Sequence, residues 1–138
     1  MIRAVLDPGV LIAGLISREG TPAHLLREWL NGGYDLVVSP HLIVELTNTL
    51  RREKFRKYVS IEEAEAFVAI LERLAIVASD PDEIPHVAKD RDDDYLVALS
   101  LRTRCDALVS GDKHLTGEEE LSNLVTTLRR FAESLRTP

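Results

Sequence analysis

Four acidic side chains stand where apolar segments begin or end. Asp7 closes Ala4-Val5-Leu6, and Glu45 lies within the helical pattern from Pro40 to Arg52. Asp94 ends the triplet Asp92-Asp93-Asp94 just before Tyr95-Leu96-Val97-Ala98-Leu99, and Asp112 follows Ala107-Leu108-Val109-Ser110-Gly111. Holding a carboxylate beside a core costs free energy unless its charge is compensated. Four at such edges point to one shared compensator, and a divalent cation held by oxygen ligands meets that need. Each acid also has an ordinary reading. Asp7-Pro8 can start a turn, Glu45 can be a helix-surface charge, and Asp112 can be a turn residue. Asp92, Asp93 and Asp94 can cap a helix and favour its positive end, although one acid suffices for that.

The elements that must position these acids follow from pattern and punctuation. Ile2 to Leu6 is predicted as a buried strand and Val10 to Ile16 as a short helix. Thr21-Pro22 supplies a cap and a first-turn proline for a helix to about Leu30, ended by Asn31-Gly32-Gly33. Asp35 to Val38 is the second strand, and Ser39-Pro40 starts a helix to about Arg52. Ser60-Ile61-Glu62-Glu63 has capping-box spacing and opens a helix to about Leu74. Leu74 to Ala78, Ala107 to Val109 and Leu124 to Thr126 complete five strands. Asp93 to Arg102 and Leu128 to Leu135 complete the helices. Strands alternating with helices predict an α/β/α sandwich around a mainly parallel sheet. Functional groups in such sheets gather beyond the carboxyl ends of the strands, where Asp7 and Asp112 fall. At about 100° per residue, Glu45 borders the arc of Leu42, Ile43, Leu46 and Leu50 rather than lying opposite it.

Length and composition bound the rest. A chain of 138 residues fits one domain, 1–138, and buries roughly 68% of its unfolded surface without disulfide staples. The single Cys105 cannot form an internal bridge, which fits a reducing compartment, and its expected role is that of a small buried apolar residue. No stretch reaches the roughly 18 apolar residues of a membrane span and no leader pattern opens the chain, so the expected location is cytoplasmic. A net charge of -6 argues against broad, nonspecific attachment to nucleic acid by charge alone. One basic segment stands out: Arg51, Arg52, Lys54, Arg56 and Lys57 put five cations into seven positions, interleaved with Phe55 and followed by Tyr58. Such a patch suits a phosphate backbone and stacked bases, or is simply a solvated helix end.

The run from Asp92 to Leu99, then Cys105 to Leu115, resembles the carboxyl half of PIN-domain proteins. Val5-Leu6-Asp7 followed by Val10-Leu11-Ile12 is similar to that family's opening strand and first acid. Ser39 to Leu46 is similar to the segment carrying its second acid. The resemblance runs from about Ile2 to Phe131 and is strongest to the bacterial and archaeal VapC-like branch, the toxin components of toxin–antitoxin pairs. It implies a metal-dependent ribonuclease with Asp7, Glu45, Asp94 and Asp112 in the acidic pocket. Ser110 matches a supporting hydroxyl position, with Asp92 and Asp93 as acidic neighbours. The implied cofactor is Mg²⁺ or Mn²⁺, which hard oxygen ligands select over zinc. The implied partners are an RNA substrate, a cognate antitoxin and, as is common in that family, a second copy of the chain; no membrane is involved. The chain departs from the family pattern at Pro8-Gly9, where a hydroxyl residue and then Asn or Ser usually follow the first acid. That departure leaves open a PIN module that binds RNA or protein without cleaving. A phosphoacceptor receiver domain, which also gathers acids at strand ends, is a third reading.

Overall fold

The central strands are short, continuous apolar runs because both of their faces are covered, as in parallel sheets generally. β1 (Arg3–Leu6) and β2 (Asp35–Val38) are each buried from their second residue on, and β4 (Ala107–Val109) is buried throughout. β3 (Ile76–Val77) and β5 (Val125–Thr126) are two-residue edges. The computed structural model describes residues 1–80, 94–111 and 124–136. Within these the sheet order is β3-β2-β1-β4-β5, with every neighbouring pair parallel. The register sets Ala4 beside both Leu36 and Ala107, and Leu6 beside Val109. This is the α/β/α architecture expected from the sequence. A receiver domain has the strand order 2-1-3-4-5, so that reading is excluded.

The helices begin where local chemistry starts them. α1 (Pro8–Ile16) opens two residues earlier than its apolar run predicts, because Asp7 is its N-cap and Pro8 occupies the first turn. α2 (Thr21–Leu30) differs from expectation at its start. Gly20, at φ 102°, is the N-cap, and Thr21 lies inside the helix without a side-chain capping bond. Its end follows the glycine signal. Gly32, at φ 83°, donates to the Trp29 carbonyl at 2.9 Å and Gly33 to that of Glu28 at 2.7 Å, closing a Schellman motif.

Ser39 caps α3 (Pro40–Leu50) through the Leu42 amide, and Asp80 accepts from the His41 amide at 3.1 Å. A short 3₁₀ turn (Glu53–Phe55) leads to α4 (Ile61–Leu74), whose capping box is formed in both directions by Ser60 and Glu63. α5 (Asp94–Arg102) is buried from Asp94 to Ser100, as its apolar composition predicts. α6 (Leu128–Arg136) follows β5.

α5 packs on β1 and β4, α6 packs on β4 and α2, and α1 lies between α2 and α3. The core of Leu6, Leu11, Leu36, Leu46, Leu96 and Leu108 joins these layers, and each such leucine contributes on the order of 2 kcal/mol when fully buried. α1 and α2 meet closely at Gly14, where a Cβ would lie 2.6 Å from Leu26 Cδ1 and 2.9 Å from the Pro22 carbonyl oxygen. Among the described residues, no helix is long and apolar enough to cross a membrane.

Candidate functional site

Chain order reverses direction across the β1–β4 pair, and a crevice at the carboxyl ends of the strands is expected there. Asp7 follows β1 directly and Ser110 follows β4. The Asp7 amide donates to the Val109 carbonyl at 3.0 Å, tying the two strand ends together. The Asp7 carboxylate is 9% exposed and Ser110 is fully buried. Asp7 Oδ1 accepts from the Val10 amide at 2.8 Å, and Oδ2 accepts from Ser110 Oγ. Two donors and the positive end of α1 offset the cost of burying this charge.

Asp7 and Glu45 line one cleft of about 420 Å³, with Pro8, Gly9, Val10, Ala13, Gly111 and Leu128 forming the rest of its wall. Glu45 is half-buried on α3, and its Oε2 accepts from the Tyr95 hydroxyl. Gly9 keeps the wall open beside the first acid, since a Cβ there would lie 3.2 Å from Asp7 Oδ1. Pro8 is buried. Neither residue brings a polar side chain to the cleft, so the sequence departure after Asp7 falls on the cleft surface itself.

Asp94 is 3% exposed at the first position of α5 and does not line this cleft. It precedes Tyr95, the residue bonded to Glu45. Asp92, Asp93 and Asp112 lie outside the described residues, as do His86 and His114. Among the described residues, no three His, Cys, Asp or Glu side chains form a group able to hold a metal ion. The structure therefore brings together Asp7, Ser110 and Glu45, with Asp94 one residue from the tyrosine that joins Glu45.

The basic segment lies at the end of α3 and in the turn after it, and none of its five cations lines the cleft. Arg51, Arg52, Lys54 and Lys57 are exposed. Lys54 sits over the Phe55 ring and Lys57 over the Tyr58 ring, each 5.1 Å from the centroid. Arg56 behaves differently. Its guanidinium turns inward and donates to the Leu50 carbonyl, with Nε and Nη1 shielded from solvent. It is engaged at the negative end of α3 and is poorly placed to meet a phosphate.

Sequence patterning missed Tyr95, which it counted only as part of an apolar run. A signal was present: a tyrosine in a helix buried almost throughout needs a partner for its hydroxyl. His41 was also missed. Its ring meets Tyr95 edge-on with centroids 4.2 Å apart. Cys105 is half-buried and packs against the core. Burial pushes its thiol above the usual range, partly offset by the Thr103 hydroxyl, which is the reverse of what a nucleophilic cysteine requires.

Other hollows lack this convergence. The α3–α4 groove of about 230 Å³ is lined by Thr47, Leu50, Arg51 and residues of α4. A hollow between α2 and α6 is as large as the cleft, about 420 Å³, but its charged groups, Arg129, Glu133 and Arg136, carry both signs. Chemistry rather than volume singles out the Asp7–Glu45 cleft.

A family model described as PIN domain matches residues 3–114. Among solved structures, the chain is similar to PAE2754 from Pyrobaculum aerophilum, with 18% identity and a TM-score of 0.68 over 99% of this chain and 91% of that one. It is also similar to Mycobacterium tuberculosis VapC20, a sarcin–ricin loop cleaving toxin, with 14% identity and a TM-score of 0.55 over 80% of this chain and 90% of that one. At these identities the two structures speak to the fold alone. No curated protein matches the chain.

Proposed function

The chain belongs to the PIN-domain family, and on that premise we propose that it is a metal-dependent endoribonuclease acting as the toxin of a toxin–antitoxin pair. PIN domains are generally nucleases. The observation that carries the reading is the convergence of Asp7 and Glu45, from separate elements, on one cleft at the strand switch point. The fold is shared with VapC20, a sarcin–ricin loop cleaving toxin, and RNA is the substrate this reading assigns to the cleft. The reading treats residues 1–138 as one PIN-like domain working in the cytoplasm, with a cognate antitoxin and a second copy of the chain as its protein partners.

The donor set fits Mg²⁺ or Mn²⁺. Asp7 and Glu45 offer only oxygen, and Mg²⁺ is commonly held by one or two carboxylates, completed by water and substrate phosphate. Asp7 and Glu45, which line the cleft, would hold the ion, and the family resemblance assigns Asp94 and Asp112 to the same task. When bound, it supplies an activated water, a neutralised phosphate and a stabilised leaving oxygen. The protein supplies position. Ser110 and the Val10 amide fix the orientation of the Asp7 carboxylate before any ligand arrives. The bare Gly9 leaves room for a phosphate to approach that carboxylate. Arg51, Arg52, Lys54 and Lys57 are the cations the reading assigns to the RNA backbone, whereas Arg56 is given to α3.

A labelled single-stranded RNA incubated with purified protein should be cut faster in Mn²⁺ or Mg²⁺ than in chelator, and Asp94→Asn should abolish the cutting. Equal rates with metal and chelator would refute the enzymatic reading. A second reading, a PIN module that binds RNA or protein without cleavage, is favoured by the apolar Pro8-Gly9 wall beside Asp7. RNA binding and Mn²⁺ heat without strand cleavage would select it.

A further inference from the structure

We infer that Tyr95 is a positioning residue for Glu45, setting the carboxylate that this chain offers to a divalent cation; the inference rests on the nuclease reading of the same cleft. Glu45 is carried by α3 and Tyr95 by α5, fifty positions apart in sequence, and the Tyr95 hydroxyl donates to Glu45 Oε2. The tyrosine is 5% exposed, so its ring is fixed by packing. His41, in the first turn of α3, closes on that ring edge-on at 4.2 Å between centroids. The His41 amide is in turn held by Asp80 at 3.1 Å, and Arg102 at the end of α5 donates to the Asp80 carbonyl and the Ser79 hydroxyl, each at 2.8 Å. α3 and α5 are thereby joined through Ser79 and Asp80 as well as through Tyr95.

A glutamate has three side-chain torsions, and an unrestrained one on a helix surface samples several rotamers. Restraining one carboxylate oxygen with a donor leaves the other oxygen to define the direction offered to a cation. That arrangement suits a ligand group that must be in place before its cation binds. The bond also uses one oxygen of Glu45, so the residue is arranged to engage a cation through Oε1. A buried tyrosine needs a partner for its hydroxyl, which for Tyr34 is the Leu25 backbone carbonyl, whereas Tyr95 meets a carboxylate that lines the cleft.

The test is Mn²⁺ binding by calorimetry on the whole chain, with Tyr95→Phe, Glu45→Gln and the double variant, each checked by thermal unfolding. Phenylalanine keeps the ring against His41 and removes only the hydroxyl. Loss of such an outer partner should weaken Mn²⁺ binding about tenfold or more. Glu45→Gln should then cost less in the Tyr95→Phe background than in the wild type. RNA affinity measured in chelator should not change. Unchanged Mn²⁺ affinity in Tyr95→Phe, or strictly additive losses, overturns the inference while leaving the nuclease reading standing. Wild-type protein that binds no Mn²⁺ sinks both. Should Tyr95→Phe not fold, His41→Ala at an exposed position tests the same contact: weaker Mn²⁺ binding supports the inference and unaltered binding overturns it.

Discussion

Two fully buried serines allow the electrostatic argument for the cleft to be weighed. Ser110 Oγ donates to the Asp7 carboxylate, whereas Ser100 Oγ donates to the Leu96 carbonyl at 2.8 Å, four residues back on its own helix. Both changes to alanine delete one hydroxyl from a dry site, so the removed volume is the same. The partners differ. A hydrogen bond to a charged group contributes about 1.5–3 kcal/mol, and truncating the donor leaves the charge less compensated. The Leu96 carbonyl is a neutral acceptor in a helix, and such back-bonding serines are slightly unfavourable in helix interiors. Ser110→Ala should therefore cost about 2 kcal/mol at neutral pH, and Ser100→Ala within about 0.5 kcal/mol of nothing. Urea unfolding at constant m-value reads both, and the larger loss corresponds to a melting shift of roughly 6–10 °C for a domain of this size. Equal costs for the two variants would refute the claim that Ser110 stabilises a buried charge at the cleft.

Gly14→Ala should destabilise by about 1–3 kcal/mol in thermal unfolding despite the gain in helix propensity, because its Cβ would meet Leu26 and the Pro22 carbonyl; a stabilised variant would contradict the close α1–α2 approach. Ser60 bonds, backbone first and then side chain, hold the Glu63 carboxyl below its usual value. That contribution is present above the unfolded glutamate value and lost as pH falls through the folded one, so Glu63→Gln should flatten the acid limb of the stability profile. Burial, with a lesser contribution from Glu28, pushes the Tyr34 phenol well above its ordinary value. Its contribution is complete below the unfolded tyrosine value and declines as pH rises beyond it. Tyr34→Phe should remove this alkaline loss and, by deleting the 2.8 Å bond to the Leu25 carbonyl, cost about 1 kcal/mol at neutral pH. Unfolding curves from pH 7 to 11 check both effects.

Much of the fold was legible because helix and strand limits are local events. Ser39 and Ser60 cap through amides three residues on, and Gly32 ends α2 by adopting a conformation that glycine alone takes cheaply. The start of α2 was misread for the same local reason: Thr21-Pro22 satisfies a capping pattern, yet Gly20 occupies the cap. The basic segment was legible as composition but not as disposition. Five cations within seven positions look equivalent until the α3 terminus turns Arg56 onto the Leu50 carbonyl.

The sequence by itself determined the alternation of strands and helices, the caps, and which acids border apolar segments, since each depends on residues a few positions apart. It also placed the chain near the PIN-domain family through short motifs. Tertiary structure alone decided which side chains those acids meet. Ser110 reaches Asp7 across 103 positions because β4 pairs parallel with β1 at the point where strand order reverses. Tyr95 reaches Glu45 across fifty because α5 lies over β1 and β4 beside the start of α3. Periodicity assigns a side chain to a face of its own element. Which other element covers that face is set by burying the most apolar surface across the whole chain, and no local pattern records the result.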